Sequence, residues 1–202
     1  MNIKDYTLKV VYEYAGKTRV INESDDVLTF VDNGDDNHVH ITVTAKEAVK
    51  ITLAELIYDH YFESEEWFYG GGYQSWSTSR EYKRGDRQYG LRFPCNIIPL
   101  ARTFAAASGD TYFTEYGKDL YHSNTYTYLR KGADVEFFGT LNDRTGYTVF
   151  YADMRENVFA IEKDVEGVTI VGDYELFNVT YYTGTYDEVF DKYFDAYPRK
   201  QT

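Results

Sequence analysis

Thirty-three acidic residues and four histidines set the reactive repertoire of this 202-residue chain. The carboxylate pairs Asp25-Asp26, Asp35-Asp36 and Glu65-Glu66 are adjacent in sequence. Neighbours on a strand point to opposite faces, so no such pair makes an acid–base dyad by itself. Glycosidic chemistry needs two carboxyls held roughly 5 to 10 Å apart across the bond, which adjacency does not supply. These pairs read as solvated charge. His38 and His40 share one strand face and could begin a metal site, but no third ligand is evident and catalytic zinc takes three. No metal and no cofactor are therefore expected. Cys95 lies between Pro94 and Asn96 with no histidine signature nearby and reads as a buried, inert thiol. There is no G-x-S-x-G elbow, and Gly70-Gly71-Gly72 precedes no Lys-Ser/Thr pair, which excludes a phosphate loop. No catalytic residue is assigned.

One stretch remains, WFYGGGYQSWSTSREY at 67–82, which holds both tryptophans of the chain. Two readings fit it. In one, the glycines supply a tight turn and Trp67 and Trp76 anchor a core. In the other, an aromatic platform stands beside amide and hydroxyl groups, with Tyr73, Gln74, Trp76 and Ser77 at its centre. Sugars present C–H faces and hydroxyls, and such a platform suits them. The segment 67–110 has poor periodicity and reads as a long folded loop. Within it, 67–82 should form a folded loop whose aromatics gather on one face.

The elements that must position this stretch are strands. Aromatics make up 18% of the chain, and Tyr, Phe and Thr favour a pleated, half-buried surface. Tyr6, Leu8, Val10 and Tyr12 alternate onto one face. VLTFV (27–31) and HVHITVTA (38–45) flank the turn-rich DNGDDN, a hairpin whose acidic tip lacks the EF-hand spacing. KITLAELIYDHYF follows as another strand, with a bulge expected near Glu55. From 111 onward come TYFTEY, HSNTYTYLR, DVEFFGTL, GYTVFYADM, VFAIEKD, GVTIVG and YELFNVTYY. Short strands at this spacing predict a large antiparallel sandwich. A single helix is expected near 186–197. Thr185 and Glu188 form a capping box, Val189, Phe190, Tyr193, Phe194 and Tyr197 form an apolar stripe, and Pro198 stops it.

The net charge of −12 argues against nucleic acid and anionic membranes. No run of eighteen apolar residues is present, and MNIKDYTLKVVYEY lacks the pattern of a signal peptide. A single cysteine permits no intrachain disulfide. A cytoplasmic location is the expectation.

GGGYQSWSTSREY resembles the GYQSW motif in the N-terminal part of bacterial α-galactosidases of glycoside hydrolase family 36. YHSNTYTYLR resembles that family's HS-x-x-Y-x-Y-x-R strand. FFGTLNDRTGYTVF and ENVFAIEKDVEG are similar to the hairpins that follow it, and FDKYFDAYPRK to the helix that leads into the catalytic barrel. The similarity spans roughly 65–200. Gly71 stands where the family usually has Asn, so any role of that side chain is missing here. The resemblance implies an N-terminal β-supersandwich over 1–184, with 185–202 as helix and linker towards a (β/α)8 barrel. The family's catalytic aspartates belong to that barrel, so none transfers to this chain. The implied job is to dock the barrel of the same protein and to line the rim of its galactoside site, with homo-oligomers bringing neighbours close. Trp67, Tyr73, Gln74, Trp76 and Glu81 are the candidates for that rim or for a barrel-facing surface. A stand-alone carbohydrate-binding β-sandwich is the alternative.

Overall fold

The computed structural model describes residues 1–72, 79–88, 117–165 and 167–197. Within them the chain is all-β and antiparallel, with one helix. β1 (Thr7–Tyr14) and β2 (Lys17–Ile21) form a hairpin. β3 (Leu28–Asp32) leads to β4 (His38–Asp59), the longest strand. The expected strands 38–45 and 50–62 are this one element. Its first half pairs with β3, and its second half with β1. One register slip lies opposite Val11 and Tyr12, which pair with Leu53 and Ile51. The bulge is thus centred on Thr52 and not on Glu55.

β5 (Trp67–Gly70) and β6 (Arg80–Tyr82) form a second hairpin. Both ends of the expected folded stretch 67–82 are therefore paired strands, while residues 73–78 and 89–116, including TYFTEY and Cys95, lie outside the described residues. The expected single strand HSNTYTYLR is two, β7 (Leu120–Asn124) and β8 (Tyr126–Lys131). They part at Thr125, whose φ is 68°. That conformation is strained for a β-branched residue. Two hydrogen bonds hold it: Thr125 N donates to Thr148 O at 3.1 Å, and Thr140 N to Thr125 O at 2.9 Å.

β9 (Asp134–Thr140), β10 (Tyr147–Asp153), β11 (Val158–Asp164) and β12 (Thr169–Gly184) complete the sheet, whose main order is β6-β5-β8-β9-β12-β4-β11-β10-β7. Its two ends meet. Asn124 N, at the end of β7, donates to Gly71 O just past β5 at 3.0 Å. The Gln88 side chain joins the same seam: its Oε1 accepts His122 N at 2.8 Å and its Nε2 donates to His122 O at 3.3 Å. The sheet thus closes almost completely on one core, in which Val10, Leu56, Phe68, Phe138, Phe150 and Phe177 all pack. Closure brings together the two ends of the main path, while among the described residues β2 and β3 each pair on one side only.

α1 (Tyr186–Ala196) is the one helix among the described residues that follows the sheet. Thr185 N donates to Glu188 Oε2 at 2.8 Å and the Thr185 hydroxyl to the same oxygen at 2.9 Å, which fixes the first turn. Val189 and Tyr193 are buried against β9, where they form a second cluster with Tyr128, Val135 and Phe137. Phe194, expected in the buried stripe, is 54% exposed. Pro198 lies outside the described residues. No described helix is long and apolar enough to cross a membrane.

Candidate functional site

Pairing in β5, β6 and β8 decides which side chains share a face. Trp67 lies opposite Arg130, Tyr69 opposite Glu81, and Phe68 opposite both Tyr82 and Leu129. Phe68, Tyr82 and Leu129 turn into the main core. Trp67, Tyr69, Glu81, Tyr128 and Arg130 therefore stand together on the other face.

Arg130 is the hub of this face. Its Nε donates to Glu81 Oε1 at 2.6 Å and its Nη2 to Glu81 Oε2 at 2.5 Å, a two-pronged clamp. Its Nη1 donates to Gly132 O at 2.9 Å. The guanidinium carbon lies 5.8 Å from the Trp67 ring centre, and Lys83 Nζ lies 5.0 Å from it. Two cations thus flank one indole. The Arg130 hydrogen bonds pull the Glu81 carboxyl below its ordinary 4.5, against the opposing effect of partial burial. A carboxylate so held is a poor proton donor near neutrality, and its chemistry is charge pairing.

An aromatic ladder runs from this clamp to the helix. Tyr69 stacks on Tyr128 at 5.0 Å and on Tyr126 at 5.5 Å. Tyr128 meets Tyr186 edge-on at 5.7 Å, and Tyr186 lies 4.6 Å from Phe190. Phe194 follows at 6.0 Å from Phe190. Burial raises the Tyr128 and Tyr126 hydroxyl pKa values, so both stay protonated. Tyr186 and Phe194 close the ladder in solvent, at 50% and 54% exposure.

Gly70 and Gly71 allow close approach in this hairpin. Gly70 is the last residue of β5, and a Cβ there would sit 2.7 Å from the Tyr82 ring. At Gly71 a Cβ would sit 3.0 Å from Ser123 Oγ, the atom that accepts the Gly71 N–H at 2.8 Å. Neither adopts a positive φ.

Of the five residues expected at the site, Trp67 and Glu81 share this face. Tyr73, Gln74 and Trp76 lie outside the described residues. Arg130, Lys83, Tyr69 and Tyr128 were not foreseen. The alternation in YTYLR already places Tyr126, Tyr128 and Arg130 on one side, and was the available signal.

His38 and His40 do share a face and stack with ring centres 5.6 Å apart. His40 Nε2 hydrogen-bonds Glu175 Oε2 at 2.8 Å, and His38 Nε2 hydrogen-bonds Asn178 Oδ1 at 2.8 Å. The described residues contain no group of three or more His, Cys, Asp or Glu side chains placed to hold a metal ion. Beside this network Lys163 is 1% exposed, its Nζ donating to Asn142 O at 2.8 Å. Burial pulls its pKa down to about 8, and burial raises that of the nearby Asp143. Compared with known proteins, the chain matches no family model and no curated protein sequence.

Proposed function

We propose that this chain is the N-terminal accessory β-sandwich domain of an α-galactosidase-like retaining glycoside hydrolase. It docks a catalytic (β/α)8 barrel and is itself non-catalytic. One observation carries the reading: the face that joins Trp67, Arg130 and Glu81 to Tyr186 and Phe194. Its strand side holds an ion pair locked in place, and its helix side ends in exposed aromatic rings. Preformed aromatic surface with a satisfied polar centre is what an interdomain contact uses. The two stretches that resemble the family, around 67–82 and 121–130, supply the strand side of this face. Glu81 there positions Arg130 and the indole and transfers no proton. The barrel carries the carboxylate pair, and the rim of the galactoside site lies beside Trp67.

The test has two parts. The reading frame that encodes the chain should continue into a barrel with two aspartates at strand C-terminal ends. The isolated chain should not turn over an activated aryl α-galactoside. Turnover that disappears on replacing an acidic residue of this chain, or a reading frame with no such barrel, overturns the reading.

A further inference from the structure

A cavity of about 500 Å³ opens between β1, β3 and β4. That volume falls in the range of roughly 300–1,000 Å³ usual for small-molecule sites. It is built from residues 6–41, outside the stretch that resembles the glycosidase family and apart from the Trp67 face.

Its floor is apolar, made by the buried Leu8 and Ile41. Its walls carry two half-buried rings, Tyr6 and Phe30, which pack against the main core. Asp32, an exposed residue at the edge of the cavity, has every strong acceptor position in use. Its Oδ2 accepts Lys4 Nζ at 2.8 Å and the Tyr6 hydroxyl at 2.9 Å. Its Oδ1 accepts Gly34 N at 2.9 Å and His40 N at 3.1 Å. The Tyr6 ring is thereby fixed in place. The rim comes from the β2–β3 connection and is polar: Asn22, Glu23 and Ser24. Ser24 Oγ accepts Phe30 N at 2.9 Å and keeps its own proton to donate. The Asn22 and Glu23 side chains make no hydrogen bond or ion pair among the described residues.

Charge selects among ligands. Glu23 and the net charge of −12 disfavour an anion. Lys4, seated on Asp32, cancels that carboxylate, so the pair offers neither an anion nor a cation a free charge. A neutral molecule with apolar C–H faces and several hydroxyls satisfies both ends. Its faces lie on Tyr6 and Phe30, and its hydroxyls meet an amide, a free carboxylate and a hydroxyl. We propose that this cavity binds a neutral saccharide unit. The site is independent of the barrel-docking reading, since it shares no residue with the Trp67 face.

The experiment is a calorimetric and NMR titration of the 202-residue chain with D-galactose, D-glucose, choline and sulfate. Saturable binding of at least one sugar at millimolar concentration is expected, with no binding of choline or sulfate. Phe30→Ala should weaken it about tenfold, the equivalent of about 1.4 kcal/mol for one lost ring contact. Glu23→Gln, an exposed change that leaves the fold intact, should weaken it several-fold. Tyr61→Ala, at an exposed position that does not line the cavity, should leave it unchanged. Circular dichroism of Phe30→Ala distinguishes lost contact from lost fold, and Glu23→Gln carries the test if that variant unfolds. Absence of saturable sugar binding overturns the proposal. So does choline or sulfate binding in its place, or sugar binding that ignores both Phe30→Ala and Glu23→Gln.

Discussion

Lys163 enters the interior with its Nζ bonded to the Asn142 carbonyl and the Thr148 hydroxyl, and burial lowers its pKa from 10.5 to about 8. Between those two values the unfolded chain binds the proton and the folded chain does not, so stability rises with pH across that window. Below about 8 the full cost of the buried charge is present. Urea midpoints followed from pH 8 to 10.5 should therefore climb more steeply in the wild type than in Lys163→Met. Parallel curves would show that the side chain is not buried as a charge. Glu81 has the opposite sign. Its folded pKa is held below 4.5 by Arg130, so its contribution is present above 4.5 and is lost as pH falls through the folded value. Glu81→Gln should cost about 1 kcal/mol at neutral pH, as expected for a two-pronged, partly exposed pair. The difference from wild type should close in acid, and a constant difference would mean that the carboxylate acts through packing alone.

α1 is the element most tightly specified by single contacts. A Cβ at Gly139 would lie 2.5 Å from the Tyr193 ring and 2.8 Å from that of Phe137. Gly139→Ala should push the helix off β9 and cost about 1–3 kcal/mol, read from thermal or urea unfolding. Tyr193→Phe removes only the hydrogen bond to Thr140 O at 2.8 Å and should cost about 1 kcal/mol. A neutral Gly139→Ala would show that the helix is not seated there. The helix was legible in the sequence because its cap, stripe and length are local. Strand existence was legible for the same reason: Leu8, Val10 and Tyr12 alternate inward as the pattern requires. Strand boundaries were not. Whether β4 continues past Lys46 depends on β12 and β1 flanking it, which are distant in sequence. Thr125 favours a strand by its branching, and only its bonds to Thr148 and Thr140 make it a corner. The site was half legible. Trp67 and Glu81 were visible by type, but Arg130 became their partner only through the β5–β8 register.

At the scale of the molecule, aromatic rings and an ion pair reach the surface together on the face that runs from Trp67 across Tyr128 to Phe194. Phe194 spends no core packing on its exposure, and Trp67 rests on cations and not in the main core. Replacing either should leave the fold of the chain within about 1 kcal/mol of wild type, as for surface positions away from the core. The account stands or falls on what that face meets. The most direct measurement is calorimetric titration of this chain with the separately produced polypeptide encoded immediately downstream. Saturable association, weakened at least about tenfold by Trp67→Ala and by Phe194→Ala, is the predicted result for anchors at an interface centre. No association, or association that both variants leave untouched, would contradict it.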